Sequence, residues 1–520
     1  MIDLTYLILL VLLLVYVPLY IHVRMSKRMK DRGIVPYGPF IMIKTKRGIQ
    51  FLDRISKNKK LWAVFGTVSK VIAAVLMASI LVIMIINLTL LPLMMNTPGM
   101  GVEYALAIPG LNPMLPLVYG VIGLIVAIIV HEVAHGIQTR ANDMTVESVG
   151  VLYAVVPVGA FVEPNEEQIK NCGRKARSSV FAAGIAINFI MAFVLFILMS
   201  AGLMGTMSSP FSDNAAVVNA ASGSPADDSD IGYSGVILGF TDGSNETYLT
   251  YEELKGYDFH TTGYRLIYAS PNGPDLTTDP VYMGVYITGT ASGSPAAGST
   301  LPAKNYFITA IDGQPITSFN SFYQIMSSFA PGQTVDVDYL TYAGGALAST
   351  VQTAANITLG ENSGRAYLGV YYTLSGFTLT MPGQILEAAK NPLYGKESVT
   401  DMALSAIGYI GAPMRGYSPI PQELTWWYDS SILPDEIFWP LLQTVFWIFW
   451  LNLVLGVTNA LPAVPFDGGY LFMDGVGYVV DRTRRNDSPE KREKITNTIT
   501  SFVSYAMIFV LFAVMIAVLF

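Results

Sequence analysis

The sequence predicts a polytopic α-helical membrane protein with about six transmembrane helices and an extracytoplasmic β-rich insert. Hydrophobic residues make up 52% of the chain and charged residues 13%, about half the charged share of a soluble domain. Apolar runs long enough to span a bilayer alternate with basic loops, and one long stretch between two runs is polar and short of cations. We expect membrane lipid and no nucleic acid among the partners.

The transmembrane prediction depends on run length, because a helix needs about 20 apolar residues to cross the hydrocarbon core. No Lys or Arg precedes the first run and no small-residue cleavage site follows it, so we expect a retained anchor, not a signal peptide. The predicted spans are residues 3–23, 69–95, 117–139, 178–201, 436–458 and 499–520.

The distribution of cations predicts the orientation in the cell membrane. Twelve Lys and Arg residues lie in 24–60, five in 140–177 and six in 482–494, and cytoplasmic loops carry such an excess. The loop at 96–116 has no Lys or Arg, and residues 205–375 have only four. We therefore expect a multi-pass protein with its insert outside the cytoplasm.

The insert contains an internal repeat. ASGSPADDSDI at 221–231 matches ASGSPAAGSTL at 291–301, and YMGVY at 282–286 matches YLGVY at 367–371. Two copies of one β-rich module explain both pairs. The predicted domains are 1–95 (two helices and a basic loop), 96–204 (core helices), 205–286 and 287–375 (the modules), 376–480 (an interfacial segment and a core helix), and 481–520 (a basic loop and the last helix).

One helix carries a chemical motif inside its apolar run. His131, Glu132 and His135 follow ten residues that have no polar side chain, in the order H-E-x-x-H. On a helix, His131 and His135 share a face and can bind one metal ion, while Glu132 can take a proton from a water on that metal. A structural histidine pair is the alternative, but ionisable groups within a span are typical of functional sites.

A catalytic zinc usually has three protein ligands, so one ligand remains to be found. Asp467 follows the fifth span in a Pro- and Gly-rich break, on the side where the third span ends. Asp474 and Asp481 are alternatives, although we expect them to be solvated near the basic tail. The sequence thus predicts a Zn²⁺ site of His131, His135 and Asp467, nearer the cytoplasmic face.

Other segments and residues of the sequence bear on the predicted site. A β-hairpin is expected at 148–164, re-entering beside the motif. Asn188, in the apolar run of the fourth span, is either a contact between helices or a substrate-binding residue. We expect no metal role for His22 and His260, and none for Cys172, the single cysteine.

Three segments resemble the site-2 protease family of intramembrane zinc metalloproteases. These are HEVAHG at 131–136, AAGIAIN at 182–188 and NALPAVPFDGG at 459–469, the last matching N-x-x-P-x-x-x-x-D-G. The central segment departs from A-G-P-x-x-N by one extra residue and the lack of a proline. GSPAAGSTLPAKNYFITAIDGQPI in the insert resembles PDZ domains, and the insert lies where known members carry them.

The resemblance implies regulated cleavage of transmembrane protein substrates, with Glu132 as general base. It also implies that Asn188 and Asn459 hold the substrate backbone, that the hairpin pairs with the substrate strand, and that PDZ-like modules bind peptide C-termini or exclude bulky ectodomains. The alternative is a catalytically inactive membrane scaffold that uses its PDZ-like modules. A transporter is disfavoured because no inverted repeat of spans is evident.

Overall fold

The computed structural model describes residues 4–94, 112, 115–153, 157–241, 245–415 and 419–519. The predicted outer loop at 96–116 and the tip of the predicted hairpin lie largely outside these residues. The chain forms two compact units. Unit 1 comprises Met1–Gly205, Ser398–Pro419 and Pro434–Phe520, and unit 2 comprises Thr206–Glu397 and Ile420–Leu433.

Unit 1 is mainly helical because its apolar runs can satisfy their backbone groups in lipid only within a helix or a closed barrel. In the described residues its helices are α1 Leu4–Met25, α2 Lys27–Asp31, α3 Ile49–Ile55, α4 Lys59–Met94, α5 Leu117–Ala141, α6 Glu166–Asn171, α7 Arg174–Ile197, α11 Val399–Gly411, α12 Asp435–Asn459, α13 Asp467–Thr483 and α14 Pro489–Leu519.

Five helical stretches in the described residues are long and apolar enough to cross a membrane, and they correspond to the second through sixth predicted spans. The first predicted span forms α1, of which Leu13–Met25 is an apolar helical stretch of shorter length. A span count of six therefore stays a prediction. The five are Lys59–Thr89, Leu117–Ala141, Arg174–Thr206, Asp435–Asn459 and Pro489–Ala517.

Small residues bring α5, α7 and α12 close together. A Cβ on Gly123 of α5 would lie 2.8 Å from the Trp447 carbonyl oxygen of α12, and one on Gly456 of α12 would lie 3.2 Å from the Ile185 carbonyl oxygen of α7. Helix pairs in membranes pack this way because glycine lets the backbones approach. The three helices thus form a tight core around the H-E-x-x-H motif.

A four-stranded antiparallel sheet also belongs to unit 1, in the order β1-β2-β3-β4. Its hairpin β3–β4 occupies the stretch predicted to form one. The other two strands come from the predicted basic loop, where no strand was expected. The strands are β1 Ile34–Tyr37, β2 Phe40–Thr45, β3 Val146–Tyr153 and β4 Pro157–Pro164, and β4 is an edge strand of this sheet.

Unit 2 contains two β-rich modules with separate hydrophobic cores. Its helices are α8 Tyr251–Gly256, α9 Phe319–Ser328 and α10 Pro382–Lys390. Its strands are β5 Met207–Ser208, β6 Ala215–Ala220, β7 Val236–Thr241, β8 Glu246–Tyr248, β9 Gly263–Ser270, β10 Gly273–Tyr282, β11 Val285–Thr290, β12 Tyr306–Ile311, β13 Gln314–Pro315, β14 Thr334–Ala343, β15 Ala346–Leu347, β16 Gln352–Thr358, β17 Gly360–Asn362, β18 Arg365–Tyr367, β19 Val370–Leu374, β20 Phe377–Thr380 and β21 Asp429–Ser430.

The modules are nested, which differs from the predicted succession of 205–286 and 287–375. The second module begins with β11, which pairs with β19. The first module begins with β6, which pairs with β20, the strand that follows the whole second module. Leu374 and Phe377 accordingly lie in the core of the first module. The two modules are therefore connected by strand pairing as well as through the polypeptide chain.

Candidate metal centre

The H-E-x-x-H motif and the start of α13 converge on one point. The His131 and His135 Nε2 atoms are 3.1 Å apart. Asp467 Oδ2 lies 3.1 Å from the His131 Nε2 atom and 3.0 Å from that of His135. Two imidazole nitrogens and one carboxylate oxygen therefore form a nearly equilateral triangle, built from residues 332 and 336 positions apart in the chain.

The triangle fits a zinc ion by donor type and by size. Nitrogen and oxygen ligands held about 2.0–2.1 Å from zinc in a tetrahedral arrangement lie about 3.3 Å apart. The observed separations are only slightly shorter. The group is also enclosed, because the side chains of His131, His135 and Asp467 are 8%, 12% and 13% exposed. Three ligands leave the fourth position for a water or a substrate oxygen.

A backbone contact orients one of the imidazoles. His135 Nδ1 lies 2.8 Å from the carbonyl oxygen of Val180 in α7. Because a carbonyl only accepts, Nδ1 carries the hydrogen and the Nε2 lone pair faces the cluster. A metal-binding histidine usually donates its other ring N–H to an oxygen atom in this way. The Nδ1 atom of His131 is buried and has no hydrogen-bond partner in the described residues.

Gly184 of α7 leaves the space that the cluster occupies. A Cβ on Gly184 would lie 2.4 Å from His135 Nε2, 2.6 Å from His131 Cε1 and 2.8 Å from His131 Nε2. These distances are far below van der Waals contact, so any other residue would displace the imidazoles. Sequence reasoning included Gly184 in a motif but assigned it no role, because one sequence does not reveal which atom a glycine faces.

Glu132 is held by the hairpin. Its Oε2 atom accepts a hydrogen bond of 2.9 Å from the backbone N–H of Val162 in β4, and the side chain is half-buried. The carboxylate that follows a cluster histidine is thus fixed against a sheet edge. Sequence reasoning placed a hairpin near the motif, but a backbone donor such as the Val162 N–H leaves no signal in the sequence.

The two asparagines have different surroundings. Asn188 is fully buried, donates from Nδ2 to the Ala127 carbonyl oxygen at 3.3 Å, and has no partner for Oδ1 in the described residues. Asn459 donates to the Leu455 carbonyl oxygen of its own helix at 3.0 Å. Asn188 therefore connects α7 to α5 one turn before His131, whereas Asn459 is bonded within α12.

The two alternative aspartates are occupied elsewhere, and the expectation that they are solvated was wrong for Asp474. Asp474 is 5% exposed, pairs with Arg177 and accepts from the Ser178 hydroxyl at 3.0 Å. Asp481 pairs with Arg174 at 2.7 Å and with Arg492 at 3.1 Å. Both join α13 to α7, and Asp481 also joins it to α14.

The remaining histidines and the cysteine lie outside the cluster. His22 and His260 are exposed, and Cys172 is a half-buried free thiol. The one group of His, Cys, Asp or Glu with metal-ligand spacing in the described residues is His131, His135 and Asp467. Fold and site together define a class: a multi-pass membrane protein with a buried His-His-Asp group and an adjoining glutamate.

Comparison with known families agrees with this class. The model of peptidase family M50 matches residues 119–510, and the chain belongs to that family, the site-2 protease family of metalloproteases. The resemblance drawn from the three sequence segments is therefore confirmed. The match extends from α5 through α14 and so includes every residue of the cluster.

Two further similarities cover parts of the chain. The uncharacterized protein MJ0971 of Methanocaldococcus jannaschii is 30% identical over 190 residues, or 36% of this chain and 49% of that protein. The chain thus spans about half the length of this curated relative. A solved PDZ domain of an SdrC-like protein from Listeria monocytogenes is 28% identical over 18% of this chain and 90% of that one, with a TM-score of 0.15.

Proposed function

We propose that this chain is an intramembrane zinc metalloprotease that hydrolyses peptide bonds within the transmembrane helices of membrane-protein substrates, as in regulated intramembrane proteolysis. The observation that carries the proposal is the convergence of His131, His135 and Asp467 around a space that Gly184 leaves free. Family membership supports the reaction class. The donor set supports zinc as the cofactor.

The residues have distinct roles in this mechanism. His131, His135 and Asp467 would hold the zinc, which polarises a water molecule and the scissile carbonyl when bound. Glu132 takes the proton of the attacking water and returns it to the leaving amine. The Val162 N–H supports this role because it keeps the carboxylate beside the cluster.

The substrate must be extended before it is cut, because the carbonyls of a helix are bonded within the helix. The β4 edge can receive such a segment by strand addition. The N–H of Val162 points away from β3, toward Glu132, and alternate residues of a strand in an antiparallel ladder point the same way. Ala160 therefore offers its N–H and C=O at this edge. The substrate strand would bind there, next to Glu132.

We assign Asn188 and Asn459 to the substrate backbone with unequal support. The Asn188 side chain is buried and its Oδ1 has no partner in the described residues, so it retains an acceptor for a backbone N–H. The Asn459 side chain is half-buried and donates one amide hydrogen to Leu455 of its own helix, and its Oδ1 can still accept a hydrogen bond from the substrate.

The PDZ-like modules are proposed to bind peptide C-termini, mainly through the second module. A groove of about 190 Å³ opens there between α9 and residues 365–372. In the first module Ser375 takes the place of Leu368, because Ala226 donates its N–H to the Ser375 carbonyl as Ala296 does to that of Leu368. The loop at Ser375 is bonded internally, since the N–H of Ser375 donates to the Gly284 carbonyl and that of Gly376 donates to the Thr373 hydroxyl. This difference favours the second module as the peptide-binding one.

The topology follows from the cation distribution. We propose that the basic termini of α4 and α7 lie on the cytoplasmic side of the cell membrane and that the PDZ-like insert lies outside the cytoplasm. The metal centre then lies nearer the cytoplasmic face, because the motif is in the last turns of α5.

The test is the Glu132→Gln variant, assayed with a membrane-embedded reporter substrate and with zinc quantification. We expect wild-type zinc content and a loss of cleavage of at least about 100-fold, since general acid–base catalysis contributes that much or more. Full activity in the variant would reject Glu132 as base. Wild-type protein with neither zinc nor activity would favour the scaffold alternative.

A further inference from the structure

Unit 1 contains a cavity of about 860 Å³ between α4, α7, α13 and α14. Most of its wall is apolar, and the charged residues that line it are three cations and one aspartate, Asp474. The apolar wall includes Ala74, Met77, Leu471, Phe472, Val479 and Ile499. The cationic part is formed by Lys70 of α4 and by Arg174 and Lys175 in the first turn of α7.

The charges of the cavity do not cancel. Arg174 is paired with Asp481 at 2.7 Å. Asp474, which also lines the cavity, is paired with Arg177. Among the described residues no acidic side chain lies within ion-pair distance of Lys70 or Lys175, which leaves two cations without a counterion at one end of an apolar space.

Both lysines lie where lipid head groups are expected. Lys70 directly precedes the long apolar run of α4, and Lys175 lies in the first turn of α7, which continues into an apolar run. Both helices start in basic segments, so both lysines belong to the same side of the membrane. A ligand here would place an anionic head at the lysines and an apolar chain along the walls.

We propose that this cavity binds an anionic phospholipid, with the phosphate at Lys70 and Lys175 and an acyl chain along α13 and α14. Basic pockets between transmembrane helices bind such head groups. A free phosphate would use the lysines but not the apolar walls. The cavity shares α13 with the metal ligand Asp467, although the proposal concerns binding and is independent of the protease function.

The experiment uses the full chain, purified in detergent and titrated with phosphatidylglycerol or with phosphatidylcholine of the same acyl chains. Native mass spectrometry counts the lipids retained. The test variant is Lys70→Gln/Lys175→Gln. The matched control is Lys57→Gln/Lys60→Gln, which removes the same charge from exposed positions outside the cavity. Lys70→Arg/Lys175→Arg keeps the charge.

We expect one phosphatidylglycerol retained by the wild type, the control and the arginine variant. Binding by the glutamine variant should be about 30-fold weaker, since each lysine near a head group contributes about fivefold. Phosphatidylcholine should bind equally weakly to all four proteins. The proposal is overturned if the two lipids bind alike, if the glutamine variant retains phosphatidylglycerol, or if inorganic phosphate displaces the lipid completely.

Discussion

Replacing Gly184 by alanine is a direct test of the geometry of the metal centre. The new methyl group would lie 2.4 Å from His135 Nε2, whereas carbon and nitrogen atoms at van der Waals contact are about 3.5 Å apart. Relief of the clash requires the imidazoles or α7 to move by about 1 Å. A displacement of that size at a reacting centre costs on the order of 100-fold in rate.

The same substitution should not weaken the helix itself. Alanine is favoured over glycine in a helix interior by about 1 kcal/mol, so the fold is expected to persist and the loss to be confined to the site. We therefore expect Gly184→Ala to retain the helical circular dichroism of the wild type. Its zinc affinity should be at least about tenfold weaker, as when contacts that support metal ligands are removed.

The matched control is Gly202→Ala, whose new Cβ would meet only Leu198 at 3.4 Å. Zinc content measured by mass spectrometry after dialysis, together with cleavage of a membrane-embedded reporter, distinguishes the two variants. The control should match the wild type in both. A Gly184→Ala protein with one tightly bound zinc and normal cleavage would refute the placement of Gly184 against the imidazoles.

Four further substitutions test other parts of the account. Asp467→Ala should abolish stoichiometric zinc binding. Asp474→Ala should keep the zinc but lower the melting temperature, because it leaves Arg177 without its partner. Equal loss of zinc from the two variants would contradict this assignment. Ala160→Pro should block cleavage while leaving zinc bound, and normal cleavage would exclude strand addition at that edge. The hydrogen bond from the Ser148 hydroxyl lowers the pKa of the Glu163 carboxyl below its ordinary value of 4.5. The stabilisation that this hydrogen bond gives is therefore lost as the pH falls through the lowered pKa and Glu163 is protonated. The melting-temperature difference between metal-free wild type and Ser148→Ala should therefore shrink below pH 4.5, and a constant difference would refute it.

The candidate metal centre could be predicted from the sequence because its pieces are local patterns. His131 and His135 are fixed by helical spacing, and Asp467 is marked by the Pro- and Gly-rich break around it. The structure brings all three together. The other groups around this centre could not be predicted. The Val162 N–H and the Val180 carbonyl act through the backbone, and Gly184 acts by having no side chain.

The fold was less predictable where distant segments pair. The strands β1 and β2 lie in a stretch whose sequence indicates only a basic loop. Strand β2 pairs with β3, more than 100 residues away, and β1 pairs with β2. Strand β20 completes the first module because it pairs with β6, and no sequence repeat marks it. The burial of Asp474 was unpredictable for the same reason, because it depends on an ion pair with Arg177, which lies in another helix.

X-ray absorption at the zinc edge of the purified, active protein tests the central claim most directly. The account predicts one zinc per chain, bound by two imidazoles and by oxygen ligands at about 2.0–2.2 Å. The Asp467→Ala variant should lose this spectrum and the Glu132→Gln variant should keep it. Active protein without stoichiometric zinc, or a zinc bound through the sulfur of Cys172, would contradict the account.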